Sequence, residues 1–278
     1  MHRHYRVGVT DGIDAPTNHQ HPGAAAGAAD AADTSDPADT DRGYRSLPLR
    51  RMAAVTAGIG LLITLIALAT LTLLQNAPAQ YFDDIHTVFW HFDVGREHNV
   101  ATWYSAGLWL LLAVASIAIA LARPQRPRSW WFIAVVATLA SADEYLELHE
   151  RLDGPAQSLA TALPFDLWFT WVLVGLPIAV VVAAVLLRAV LSLPAASRLG
   201  IVVAGTLFVL GAVGVETVNG SILERNDGIV TNAYLYGTMV EEVLEMAAVG
   251  LALASVLALV QHRRSDGTLR LDPRVAAR

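Results

Sequence analysis

The decapeptide Ser141-Ala-Asp-Glu-Tyr-Leu-Glu-Leu-His-Glu150 closes an apolar run that opens at Trp130. Ionisable side chains therefore fall where a membrane helix would still lie in hydrocarbon. On a helix turning about 100° per residue, Asp143, Glu147 and Glu150 share one narrow stripe and Glu144 flanks it. His149 points away from all of them except Glu150. A second acidic motif, Glu241-Glu242-Val-Leu-Glu245, lies inside another apolar run and repeats the angular pattern of Asp143, Glu144 and Glu147. Acids at such depth are costly, and by default they mark function.

Composition supports the membrane reading. Of 278 residues, 54% are hydrophobic and 16% charged, and the mean hydropathy is +0.45. Soluble domains carry about 25% charged residues, so the chain reads as an integral membrane protein. There is no cysteine, which excludes disulfides, thiolate nucleophiles and thiolate metal sites. All 19 basic residues are arginine, the net charge is −6, and no basic face suggests nucleic acid.

Residues 1–45 are rich in Ala, Asp, Thr and Pro, a composition that buries too little apolar surface to order a chain, and they are expected to form a disordered tail. Apolar runs near the 20 residues needed to span a bilayer then recur at about 52–75, 101–122, 129–149, 166–190, 199–221 and 233–260. Arg42, Arg45, Arg50 and Arg51 precede the first run, and Arg123, Arg126 and Arg128 separate the second from the third. Arg188 and Arg198 flank the turn after the fourth, and Arg263 and Arg264 follow the sixth. The alternate loops hold only Arg96, Arg151 and Arg225. The positive-inside rule then predicts an all-α polytopic bundle of six transmembrane helices in the plasma membrane, with both termini cytoplasmic. The membrane domain runs over 46–264, followed by a cytoplasmic tail over 265–278.

That orientation gathers the unusual residues at the outer side. The third run ends there in the Asp143–Glu150 motif, and the fifth brings Glu216 and Asn219. The second begins just after Glu97-His98-Asn99. At 1.5 Å per residue, Glu241 lies roughly 12 Å below the start of its helix and Asp143 roughly 10 Å below the end of its own. The matched depths predict a common site.

Three readings of that site stand. Carboxylates with His and no Cys suit a divalent ion such as Zn, Mn or Fe. The ferritin-like Glu-x-x-His spacing is not matched, because His149 follows Glu144 by five residues and Glu147 by two. His86, His91 and His98 of the first outer loop are candidates to complete such a site. The second reading is proton or cation handling by a transporter, although no span shows paired Gly/Pro interruptions. In the third, the acids are interhelical hydrogen-bond glue. Around them the aromatics Phe89, Trp90, Phe92, Trp103 and Tyr104 read as an interfacial belt or as a cover over the site.

The segments Glu97-His-Asn-Val-Ala-Thr-Trp-Tyr-Ser105, Ser141-x-Asp-Glu…His149-Glu150 and Glu241-Glu242-x-x-Glu245 together resemble a family of bacterial multi-helix membrane proteins. Ala101 stands where that family's E-x-N-x-P-T-W-F-S pattern has Pro. The resemblance covers most of the membrane region and implies no activity. A looser analogy runs to membrane hydrolases of the alkaline-ceramidase kind, whose His-rich motifs are not found here.

The sequence therefore predicts a metal-binding membrane protein, a metal-dependent hydrolase of a lipid-like substrate if it is an enzyme. The expected ligands are Asp143, Glu144, His149, Glu150, Glu216, Glu241 and Glu245, with Glu97 and His98. Glu147 and Glu242 are the expected catalytic bases.

Overall fold

A computed structural model describes residues 43–164 and 167–277. The expected tail falls almost wholly outside the described residues, and with it His2, His4, His19 and His21.

Hydrogen-bonding side chains start two of the long helices. Asn99 accepts from the backbone N–H of Ala101 at 2.9 Å and of Thr102 at 3.3 Å, opening α3 (Val100–Leu121) after α1 (Leu49–Asn76) and α2 (Phe82–Phe92). Its amide also donates 2.7 Å to the Asp93 carbonyl, so one side chain ties the α2–α3 turn to the helix it caps. Replacing Asn99 by Ala removes a cap worth about 1 kcal/mol and one of the two donors to the Asp93 carbonyl, which keeps the Arg96 N–H at 3.1 Å, for a loss of about 2 kcal/mol in an unfolding titration.

α4 (Pro127–Leu146) opens on a proline, which suits a first helical turn where the N–H has no partner. It ends three residues before the sequence pattern suggests. Glu147 turns left-handed at φ 52° and returns its N–H to the Asp143 carbonyl at 2.8 Å. After the short α5 (Asp153–Ala160) come α6 (Val172–Leu191) and one long helix built of α7 (Ala195–Val209), a π-helical segment (Leu210–Val215) and α8 (Glu216–Arg225). α9 (Asn232–Leu257) closes the helical part.

Among the described residues four helices are long and apolar enough to cross a membrane: α1, α3, α6 and the continuous α7–α8 rod. Two further helices reach membrane length, α4 with 20 residues and α9 with 26, and these two carry the acidic motifs. α9 is the central element. It packs on α1, α3 and α7, burying Met246, Val249, Leu253 and Val256. α6 is the most weakly held, with Val172 as its buried residue, while Val180, Val181, Val185 and Leu187 stay exposed, as suits side chains facing lipid.

The helical expectation needs one amendment. A three-stranded antiparallel sheet joins both ends of the described chain, with β1 (Tyr44–Ser46) and β3 (Leu269–Leu271) flanking β2 (Val260–Arg263). Tyr44 lies against the guanidinium groups of Arg263 and Arg270, at 4.5 and 3.8 Å from its ring centre. The Gln125 N–H donates to the Val275 carbonyl at 2.8 Å, which seats the C-terminal segment beneath the α3–α4 turn. These contacts define an arginine end of the bundle, and the acids gather toward the opposite, acid end.

Candidate functional site: a string of carboxylates

Several elements contribute the acids of the site. Asp143 and Glu144 sit on the last full turn of α4, and Glu97 precedes the Asn99 cap. Glu216 opens α8 directly after the π-helical segment, and Glu241, Glu242 and Glu245 lie along the first half of α9. The extra width of a π turn re-aims the residues that follow, and such turns often fall at functional positions. Here Gly211 of that turn lies so close to α9 that a Cβ would stand 2.9 Å from Glu245 Cγ.

Four of the acids each meet a neutral donor. Trp109 Nε1 donates to Glu144 at 3.1 Å, and Trp171 Nε1 donates to Glu216 at 2.8 Å. Asn219 Nδ2 donates to Glu241 at 2.9 Å, and Thr102 Oγ1 donates to Glu97 at 3.0 Å. Asp153 is paired locally, accepting from Thr170 Oγ1 at 2.9 Å and from the Trp171 N–H at 2.7 Å. Glu242 and Glu245 are half-buried, and among the described residues neither receives a hydrogen bond.

The Asn219 contact depends on Gly237. The Asn219 amide packs directly on that glycine, where any Cβ would overlap it, and among the described residues its buried Oδ1 has no partner. Asn219 is 1% exposed, so the bond to Glu241 forms out of contact with solvent.

The break at Glu147 changes the geometry read from sequence. Asp143, Glu147 and Glu150 do not form one helical stripe, because the helix ends between them. His149, expected to face away, is carried back onto Asp143. Its backbone N–H donates to one carboxylate oxygen at 2.7 Å, and its ring Nδ1 meets the other at 3.0 Å. The ring also meets Trp171 edge-on at 4.9 Å.

His149 is the cationic member of the site. Burial works against its charge, but the hydrogen bond and charge of Asp143, with Glu216 and Glu150 beyond, push it up to about 9. Glu97 and Glu150 are both raised, chiefly by burial. Because the folded value for His149 exceeds the ordinary 6.5, its stabilisation is fully present below about pH 6.5 and is lost as pH rises through about 9. A melting-temperature profile should therefore fall across that window, and Asp143→Asn should flatten the fall. An unchanged slope in that variant would contradict the assignment.

The acids form a continuous set. Glu97, Glu147 and Glu150 lie within electrostatic reach of one another, and Glu97 and Glu150 within reach of His149. His149 and Glu150 reach Glu216, which reaches Glu241. Glu242 has Glu144, Glu241, Glu97 and Glu216 about it, and Glu245 has Glu242 and Glu144. The string thus starts at the exposed Glu150 and ends at Glu245, thirteen residues or roughly 20 Å along α9.

His98 stands apart: it is exposed and packs edge-on against Tyr145 at 4.6 Å. His86 and His91 are exposed as well and make local contacts, with Phe82 and with the Thr87 carbonyl. Among the described residues no three His, Asp or Glu side chains are grouped so that they could hold a metal ion.

Trp109, Trp171 and Asp153 were missed from the sequence. A tryptophan well inside an apolar run was the available signal for Trp109, since its N–H needs a partner there.

A family model described as a domain of unknown function, DUF8692, matches residues 56–260. The chain belongs to the DUF8692 family. The matched region takes in every acid of the string and ends at the first residue of β2. No curated protein and no solved structure matches the chain.

Proposed function

We propose that this DUF8692 chain is an integral membrane carrier that crosses the bilayer six times and takes cations, protons foremost, into the carboxylate string from one aqueous face. Two facts support six crossings. The four apolar helices are joined by two more of membrane length. The pairing of β1 with β2 also brings both ends of the described chain to one side, which requires an even number of crossings. By the positive-inside rule the arginine end then faces the cytoplasm across the plasma membrane. Reporter fusions after residues 90, 158 and 227 should read outside, and those after 126, 195 and 268 inside. An odd count of crossings would end this topology.

The observation that carries the function is the string itself, running from exposed Glu150 to Glu245 and ending on apolar packing at Met246 and Val249. Carboxylates crowded in a low-dielectric space, with one histidine as cation, take up protons or metal ions rather than remain uncompensated. A polar half that meets a dry half is the arrangement of a site open to one face. The π-helical turn supplies a helix irregularity that the sequence pattern did not show, and weakly held α6 is a candidate moving element. In proteoliposomes adsorbed to a supported membrane, an acid jump should displace charge as protons enter the string. Currents equal to those of empty vesicles for protons, sodium and potassium alike would overturn the reading.

A divalent metal is the second reading, favoured by one observation. Asp143 engages Nδ1 of His149, and among the described residues Nε2 makes no hydrogen bond, as in the carboxylate–histidine pairs that orient metal ligands. Zn, Mn or Fe suits such donors, and Glu147 and Glu242 would be the bases if the ion served hydrolysis of a lipid-like substrate. A resident ion stabilises the folded state by mass action. EDTA should then lower the melting temperature and added Zn restore it, whereas the proton reading predicts indifference to both.

A further inference from the structure

A cavity of about 230 Å³ lies at the arginine end, on the far side of Trp109 from Glu144. Its walls come from α3, α4, α6, α7 and α9, and they are almost wholly hydrocarbon. Trp109 and Phe208, edge-on at 5.4 Å, form its roof. Its mouth is the polar rim of Gln125, Arg126, Ser192 and Arg274. Along α4 it reaches from Arg126 to Ala137, eleven residues or roughly 16 Å, about half the hydrocarbon thickness of a bilayer.

Three properties select the occupant. Water fits poorly, because a buried water needs two to four polar partners and the walls offer carbon. The length is that of one leaflet, and the volume is of the order of a single alkyl chain. At the mouth the guanidinium groups of Arg126 and Arg274 are exposed, and among the described residues neither makes an ion pair. They are two cationic groups on a chain of net charge −6, so the rim is locally complementary to an anion. The lateral wall is α6, through Val182 and Leu186, and among the helices of membrane length it has the fewest buried residues of its own. A chain that fills the cavity supplies the van der Waals partners that α6 otherwise lacks.

We infer that this cavity is a binding site for one acyl chain of an anionic phospholipid from the leaflet at the arginine end, its phosphate held between Arg126 and Arg274. This site is separate from the carboxylate string and does not rest on the carrier reading.

The test is native mass spectrometry of the detergent-solubilised full chain with added dioleoyl phosphatidylglycerol or dioleoyl phosphatidylcholine. One phosphatidylglycerol should be retained at least tenfold more strongly than phosphatidylcholine. Arg126→Gln with Arg274→Gln should abolish that preference. Gly205→Leu should displace the chain of either lipid, because a Cβ at Gly205 meets nothing within 4 Å and the added side chain enters the cavity. Ala252→Phe fills the same space from α9, so a folding failure in one variant leaves the other to decide. Equal retention of the two lipids by the parent, retention of phosphatidylglycerol by either folded filling variant, or an undiminished preference in the double Gln variant would each overturn the proposal.

Discussion

Replacing Glu242 and Glu245 together by Gln is expected to reduce the charge displaced by an acid jump at least tenfold, with no loss of melting temperature. The two carboxylates lie one helical turn apart on α9 with Glu144 and Glu241 beside them, and neither receives a hydrogen bond among the described residues. Gln keeps the shape and removes the titrating proton. It also removes like-charge repulsion, and replacing buried charge by neutral groups is often neutral or stabilising. If the acids are interhelical glue instead, the variant melts lower, because bonds are lost and no repulsion is relieved. A variant that melts as the parent does and still displaces the full charge would place the cation elsewhere in the string.

The second large effect concerns Asn219. Gly237→Val would drive a side chain into the space its amide occupies. Either the helices part, or the amide swings away from Glu241 and leaves a polar group buried without its partner. Overpacking and a lost buried bond together cost about 3 kcal/mol, measurable by thermal unfolding in detergent. Gly58→Ala is the control, since a Cβ there meets nothing within 4 Å, and it should cost nothing measurable. Comparable losses in the two variants would mean that the Asn219 contact carries no special weight.

How far the sequence could be read depends on the interaction involved. The apolar runs follow from composition alone, and the observed helices start and stop within a few residues of most of them. The acids announce themselves because charge inside an apolar run has no ordinary explanation. The end of α4 gave no such sign. Leu146-Glu-Leu-His continues a helical pattern with neither Gly nor Pro, and the left-handed turn at Glu147 is held by bonds from Glu147 and His149 back to Asp143. That bond reverses the direction of His149, which a helical wheel could not foresee. Trp171 was hidden for a related reason. It stands just before α6, so its bonds to Asp153 and Glu216 depend on how three elements come together. The terminal strands were equally invisible, being three or four residues long and built of polar and apolar residues alike.

A string that serves as a carrier's site is open to the acid end and sealed from the arginine end, and the absence of cysteine from the sequence makes that testable with single thiols. Glu216→Cys should react with an impermeant cationic thiol reagent added to the acid face of vesicles and stay unmodified when the reagent is on the arginine face. Ala252→Cys, on the apolar side of Trp109, should resist the reagent added to the acid face. Modification of Glu216→Cys from the arginine face, or of Ala252→Cys from the acid face, would contradict the account.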